Sequence, residues 1–341
     1  MGYKGVILGY AREVVLEGND VSTLNPATDC AEQERCNTED VTAWEKGTLE
    51  TVELCRKGDF VALKFTGAGR QALQHLSKTI ACAPQLEEAV HKICRRARER
   101  GVRLLFDAEQ ASLQEGIDNW TMYFMRQYNK GEKALVYGTY QAYAKKTPKV
   151  LATHLDMAKR EGFVLGIKLV RGAYMGSDPR ELFWPTIQDT HKCYDGIVEA
   201  ALKRRYNEVL QPVADASQTF PQVDFLMASH NAKSVERARK IRDEQAQAGT
   251  ERIEFAYGQL MGMADNVSTE LVQVAKERSE LPASQGLDIP RAYKYLVWGS
   301  VAECSKYLLR RAQENRDAVS RTAEARQALG REVARRMGFV R

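Results

Sequence analysis

Long apolar runs are missing from this sequence. The longest, such as Val164 to Val170, are short and that one already holds Lys168, far below the ~20 residues that a membrane-spanning helix needs. Paired metal ligands are lacking as well. The seven cysteines (Cys30, Cys36, Cys55, Cys82, Cys94, Cys193, Cys304) form no C-x-x-C pair, and His75, His91, His154, His191 and His230 show no metal spacing. No metal site is therefore expected, and the cysteines read as free thiols in a reducing compartment. Charge of one sign is scarce too. Fifty basic residues against 45 acidic leave +5 over 341 residues, which is no nucleic-acid footprint. The start, Met1-Gly2-Tyr3-Lys4, lacks a signal peptide because the run 5–11 is halted by Arg12-Glu13, and Val6 stands where myristoylation wants Ser or Thr. Such a chain is cytoplasmic, or its targeting segment lies outside it. There is no internal repeat and no low-complexity stretch, and 44% hydrophobic with 28% charged residues excludes disorder, collagen-like repeats and disulfide-stapled mini-folds.

Positive charge does gather in one place. Nine arginines lie between Arg310 and Arg341 among few acids, a stretch able to meet an acidic partner or an anionic membrane surface, or simply a solvated helix face.

At about 150 residues per domain the length allows two domains, although α/β barrels spend as much on one. The arrangement of apolar runs decides between these. Short β-branched or aromatic runs stand at 5–11, 60–65, 102–107, 134–141, 164–170, 223–229, 253–258 and 292–298. Most are separated by helix-length segments with helical periodicity, as in Leu86, Val90, Ile93, Cys94 and Ala97. Strand, helix and strand at that spacing imply parallel pairing through right-handed crossovers. Eight such units predict a single-domain α/β fold, a (βα)8 TIM-type barrel over 1–341, with a doubly wound open sheet as the alternative. Two intervals are overlong. Residues 17–50 read as a polar insertion loop after strand one, and 171–222 as extra loop plus helix.

Thr66-Gly-Ala-Gly-Arg-Gln-Ala72 after strand two fits G-x-G-x-x-A, but the acidic ribose anchor about 20 residues on is missing, so a tight βα turn is the better reading.

In a barrel the chemistry belongs at the carboxyl ends of the strands. Those ends are polar here: Lys64 on strand two, Asp107 with Glu109 beyond it on strand three, Gln141, then Lys168 and Arg171, Ser229-His230-Asn231, Gln259 and Tyr295. A mid-strand Lys64 needs a carboxylate, either Asp107 across the neighbouring strand or a ligand. Singly, each of these is an ordinary rim residue. Together they are rich in cations and amides and poor in carboxylates, so they point to an anionic ligand carrying carboxylate or phosphate groups. After strand eight, Arg310 and Arg311 project about 100° apart on a helix, and Glu314 stands four residues on to hold Arg310, or to make only a surface pair with it.

The segments Lys168-Leu-Val-Arg-Gly-Ala-Tyr174, Ala228-Ser-His-Asn231, Tyr257-Gly-Gln-Leu-Met-Gly-Met263 and Tyr307-Leu-Leu-Arg-Arg-Ala-Gln-Glu-Asn315 closely resemble the proline dehydrogenase (proline oxidase) family, in the wording of its eukaryotic, mitochondrial branch. The resemblance runs through all eight strands. It implies an FAD-dependent barrel flavoprotein oxidising L-proline to Δ1-pyrroline-5-carboxylate, the first step of proline catabolism, by hydride transfer from C5 to the flavin N5, with electrons passed to a quinone. By the same resemblance Lys64, Arg310 and Arg311 grip the substrate carboxylate, and Asp107 orients Lys64. Tyr174, Leu260, Tyr295 and Tyr307 wall the proline ring, and a Tyr at 295 favours proline over hydroxyproline. Gln141, Arg171, Gly172, Ala173 and His230 hold the flavin, with Thr190 a further candidate. Lys168 stands beside the flavin where bacterial members commonly carry Arg. A mitochondrial location and peripheral membrane association follow from the family, whose N-terminal helical arm and transit peptide are not in this sequence. The alternatives are a truncated or non-catalytic barrel serving as an interaction protein, and a Schiff-base enzyme using Lys64 or Lys168.

Overall fold

The structure is a computed structural model that describes residues 2–14, 30–213, 219–281, 287–316, 330 and 333–337; the side chains of 30–33, 310 and 313–316 are not described. Eight parallel strands close into a barrel in sequence order: β1 (Gly5–Tyr10), β2 (Phe60–Leu63), β3 (Arg103–Phe106), β4 (Val136–Gln141), β5 (Leu165–Val170), β6 (Val223–Ala228), β7 (Glu254–Leu260) and β8 (Ala292–Trp298). The strand runs read from the sequence all became strands, and closure between β8 and β1, with Ile7 opposite Tyr295, rules out the open-sheet alternative.

Alternation along each strand separates two apolar layers. Ile7, Phe60, Leu105, Tyr137, Leu226 and Tyr293 fill the barrel interior. There Phe60 meets Tyr137 and Tyr293 edge-on, at ring distances of 5.6 and 5.1 Å. Their neighbours in sequence face outward, into a larger layer shared with the helices. Burying one such side chain is worth about 1.5–3 kcal/mol, so the two layers together fix which residue of each strand can face the mouth. Arg103 closes the amino-terminal end, its guanidinium 3.8 Å from the centre of the Phe60 ring and its NH1 3.3 Å from Glu254.

The helices follow in turn: α1 (Cys30–Leu54), α2 (Arg70–Ser77), α3 (Pro84–Arg100), α4 (Ala111–Tyr128), α5 (Thr147–Glu161), α6 (Ile187–Lys203), α7 (Ala232–Gln247), α8 (Asp265–Ser279) and α9 (Val301–Arg316). Their ends carry ordinary signals. Pro84 opens α3, and Gly101 ends it in the left-handed conformation at φ 65°. Thr186 and Asp189 form a capping box on α6.

The expected insertion loop at 17–50 is corrected by α1, a 25-residue helix that supplies the first unit of the helix layer. Its buried stripe is Val41, Trp44, Thr48, Thr51 and Val52, at helical spacing, with Cys55 buried just past its end. Two of those positions are threonines whose hydroxyls return to carbonyls four residues back, Thr48 to Trp44 at 2.8 Å and Thr51 to Gly47 at 2.7 Å. They bury without looking apolar, which is why the stripe reads as polar. The part of that segment before Cys30 lies outside the described residues. The interval 171–222 does hold loop, a 3-10 turn at Arg180–Leu182 and α6.

Candidate active site

Lys64 is not in mid-strand. β2 ends at Leu63, and Lys64 is the extended residue leading into a 3-10 turn at Phe65–Ala68. Its side chain continues the inward face of Phe60 and Ala62 and so reaches the barrel mouth. The two glycines that mimic a dinucleotide fingerprint sit in this turn, and their use is packing. A Cβ on Gly67 would lie 2.5 Å from the Arg12 carbonyl, and one on Gly69, at φ 96°, 2.3 Å from the Asp40 carboxylate. Arg12 itself bridges Asp40 at 2.6 Å and the Gly67 carbonyl at 3.0 Å.

That bridge positions a residue the sequence reading passed over. Arg12 pins the chain after β1 on one side of Glu13, and on the other the Val14 amide donates to Thr66 Oγ1 at 3.3 Å. Between them the Glu13 carboxylate lies 2.6 Å from Lys64 Nζ, with both side chains largely buried. Asp107, the partner expected for Lys64, is 4.0 Å from it; its close partner is Lys168, at 2.5 Å. Asp107 thus pairs with Lys64 as expected, but loosely; its closer partner is Lys168, and the closer partner of Lys64 is Glu13. The reason is register. Leu63 pairs with Phe106, and the ladder continues from the Asp107 amide to the Leu63 carbonyl, so Asp107 sits between two cations, one from each side.

Behind this triad lies Glu109, fully enclosed. It accepts Thr66 Oγ1 at 2.5 Å and the Thr66 amide at 3.2 Å. Burial pushes its carboxyl up to about 7, with the Thr66 hydrogen bonds and the Lys64 charge pulling the other way.

Aromatic rings roof the triad. Lys168 Nζ is 5.5 Å from the centre of the Tyr295 ring, Lys64 Nζ 5.7 Å from that of Tyr307, and the Arg311 guanidinium 5.3 Å from the same ring. Tyr307 and Arg311 are one turn apart on α9, which therefore brings Arg311 over the mouth. Burial raises the Tyr295 hydroxyl far above its ordinary value, and the charges of Asp107 and Tyr307 add to that. A Cβ on Gly9 would touch its oxygen at 2.8 Å, so glycine on β1 makes room for this tyrosine. The side chain of Arg310 and that of Glu314 lie outside the described residues, as does the expected contact between them.

A second group of the expected residues gathers at the ends of β4 to β6. Arg171 is held at three atoms: NH1 donates to Ser229 Oγ and NH2 to Ser234 Oγ, both at 2.8 Å, and Nε donates to His191 Nδ1 at 3.1 Å. Its guanidinium also lies on the Tyr194 ring, 4.1 Å from the centre. Ser234 is in the first turn of α7, whose N-cap is Asn231, so a fixed cation stands at a helix N-terminus. Gln141 bridges the Ala173 amide (3.3 Å) and the Glu109 carbonyl (3.2 Å). Gly172, at φ 147°, admits no side chain, since a Cβ would fall 1.2 Å from the Tyr143 ring. His230 Nε2 accepts the Leu260 amide at 3.1 Å. Tyr174 is buried in the loop after β5. Thr190 turns its hydroxyl to the Thr186 carbonyl on its own helix, at 3.4 Å, and lies next to His191.

Two further residues were not anticipated. Lys294, 2% exposed, faces outward from β8 and donates to Asp265 Oδ1 (2.7 Å), the Met263 carbonyl (3.0 Å) and the Leu260 carbonyl (3.3 Å); it ties down the loop that carries Leu260. Thr139 faces the mouth from β4, opposite Lys168. Among the described residues no group of His, Cys, Asp or Glu could hold a metal ion, and no helix is long and apolar enough to cross a membrane.

A family profile described as "Proline dehydrogenase" matches residues 1–324. The chain belongs to the proline dehydrogenase family. A probable mitochondrial proline dehydrogenase of Schizosaccharomyces pombe is 35% identical over 256 residues, covering 74% of this chain and 50% of that protein. A hydroxyproline dehydrogenase of Bos taurus is 31% identical over 252 residues, 73% of this chain and 50% of that one. The chain thus spans about half the length of these curated relatives of the proline dehydrogenase family. A solved structure of a bifunctional proline utilization A protein superposes over 92% of this chain and 28% of its own, with a TM-score of 0.62 at 16% identity, a likeness in barrel fold.

Proposed function

We propose that this chain is an FAD-dependent proline dehydrogenase that oxidises L-proline to Δ1-pyrroline-5-carboxylate. The observation that supports it best is the mouth itself: Lys64 and Lys168 flank Asp107 beneath Tyr295 and Tyr307, with Arg311 on the same Tyr307 ring. Lys64 holds a carboxylate, that of Glu13, which is the chemistry required of it toward a substrate carboxylate. Fixing that carboxylate fixes the ring, so positioning does much of the catalysis. Tyr295 and Tyr307 exclude water from the apolar ring, and the bulk of Tyr295 favours proline over its hydroxylated relative.

The residues present fit the cofactor. Arg171, locked by Ser229, Ser234 and His191 at the start of α7, is the donor set a pyrophosphate needs. Lys168 and Gln141 would lie along the isoalloxazine, with the Gly172–Ala173 backbone beside it. When bound, FAD supplies the acceptor for the hydride leaving proline C5. Lys64 and Lys168 both sit against carboxylates, an arrangement for holding an anion rather than for attacking a carbonyl, which disfavours the Schiff-base alternative.

We further infer a mitochondrial location, as in the names of the relatives, with electrons passed on to a membrane quinone. The surplus of arginine at 310–341 would then lie near the anionic membrane surface as a peripheral contact.

The decisive experiment is flavin bleaching. Purified with FAD supplied, the protein should be yellow, and anaerobic L-proline should bleach its oxidised-flavin absorbance. A colourless protein that takes up no added FAD overturns the reading. Flavin that is bound but never bleached by proline supports the non-catalytic barrel instead.

A further inference from the structure

The inner wall of β4 carries a hydroxyl with nothing to bond. Tyr137 faces inward onto Phe60, whereas Tyr140 faces outward and bonds His154 of α5 at 2.8 Å. A Cβ on Gly138 would meet Thr121 and Met125 of α4. Alternation therefore puts Thr139 on the inside, above Tyr137 and below Gln141. It is 6% exposed, and its Oγ1 is buried without a hydrogen-bond partner. Two other hydroxyls among the described residues share that condition, those of Thr121 and Tyr257. Both lie in the helix layer, on α4 and on the outer face of β7. Thr139 differs from them in facing the mouth, directly opposite Lys168 in the β4–β5 register.

The physical cost makes this position informative. A helical threonine can return its hydroxyl to a carbonyl four residues back, as Thr48 and Thr51 do. In a central strand the carbonyls are already used by the ladder, so Thr139 has no such escape. An orphaned buried hydroxyl destabilises the fold, because it has given up its hydration and gained no partner in return. Valine has nearly the same shape, suits a strand equally well and would carry no such cost. The hydroxyl thus has a use only when something else occupies the mouth. A flavin edge, with ring nitrogens and carbonyl oxygens, matches a group that can both donate and accept. The groups proposed for the substrate carboxylate, by contrast, stand elsewhere: Lys64 just after β2 and Arg311 on α9.

We infer that the Thr139 hydroxyl hydrogen-bonds the bound flavin, and so contributes to cofactor affinity and to the flavin's electronic state. This rests on the FAD reading above. It is tested with Thr139→Val and Thr139→Ser in flavin-stripped and FAD-loaded protein. Stripped Thr139→Val should melt at or above the wild-type temperature, because the orphan is gone. Its FAD dissociation constant should rise about 5- to 20-fold, and the visible band of its bound flavin should shift. Thr139→Ser should stay within about twofold of wild type. If Thr139→Val does not fold, Thr139→Ala reads the same affinity and spectrum. A valine or alanine variant with unchanged FAD affinity and spectrum overturns the inference while leaving the FAD reading intact. Failure of the wild-type protein to take up FAD overturns both.

Discussion

Asp107 carries two obligations, a close ion pair with Lys168 and a looser one with Lys64. Removing it leaves the buried Lys168 uncompensated, while Lys64 keeps Glu13, so Asp107→Ala should lower unfolding free energy by about 3–5 kcal/mol, read from urea denaturation. Lys64→Met should act differently. It releases the Glu13 carboxylate and removes one arm of the proposed substrate clamp, so the KM for L-proline should rise roughly 10- to 100-fold, measured by anaerobic flavin reduction. His154 gives a pH signature remote from the mouth. Burial lowers its ring from the ordinary 6.5 to about 4, with Tyr140 bonded at Nδ1. The unfolded chain then binds a proton that the folded one refuses, so the neutral ring's contribution is fully present above about 6.5 and is lost as pH falls toward about 4. Relative to His154→Gln, wild type should lose stability on acidification across that window, by at most about 1.4 kcal/mol per pH unit. Denaturant midpoints for both proteins from pH 7.5 downward decide it; parallel curves would show that the ring titrates normally.

At the scale of elements, the first helix links core and site. Trp44 is 1% exposed, and its Nε1 donates to the Lys64 carbonyl at 2.9 Å. Trp44→Ala should cost about 3–5 kcal/mol through the cavity. Trp44→Phe, which keeps most of the packing but drops the hydrogen bond, should cost less stability while still loosening Lys64, visible as a raised KM. The loop after β5 depends on one glycine. Gly172→Ala places a methyl inside the Tyr143 ring at a φ of 147°, so thermal melting should show a loss on the order of several kcal/mol. The strands were legible because a run of alternating or fully apolar residues between helical segments is a local pattern. α1 was not, since Thr48 and Thr51 occupy its buried stripe. β2 stops before Lys64 because the turn that follows is shaped by Arg12 and Asp40, residues remote from it in the chain.

For the whole molecule, the net charge of +5 equals the surplus between Arg310 and Arg341, where nine arginines meet four acids. If that surplus meets a membrane, the protein should co-sediment with vesicles containing anionic lipid at low salt. It should be released at about 1 M salt, where screening acts within about 3 Å, and neutral vesicles should leave it in solution throughout. Equal recovery with both vesicle types would end the idea.

The sequence by itself determined the eight strands, their parallel order and the collection of cations and amides at their carboxyl ends. Those features rest on periodicity and spacing, which are local. Only the tertiary structure decided which partner each cation takes. Lys168 reaches Asp107 across 61 residues, and Tyr10 reaches Glu303 across 293. Such contacts are set by the register at which the barrel closes, together with the pinning of the segment after β1. The same closure placed Glu13 on Lys64 and left the Thr139 hydroxyl facing the mouth. No local pattern encodes either, because each depends on what the neighbouring strand has already bonded.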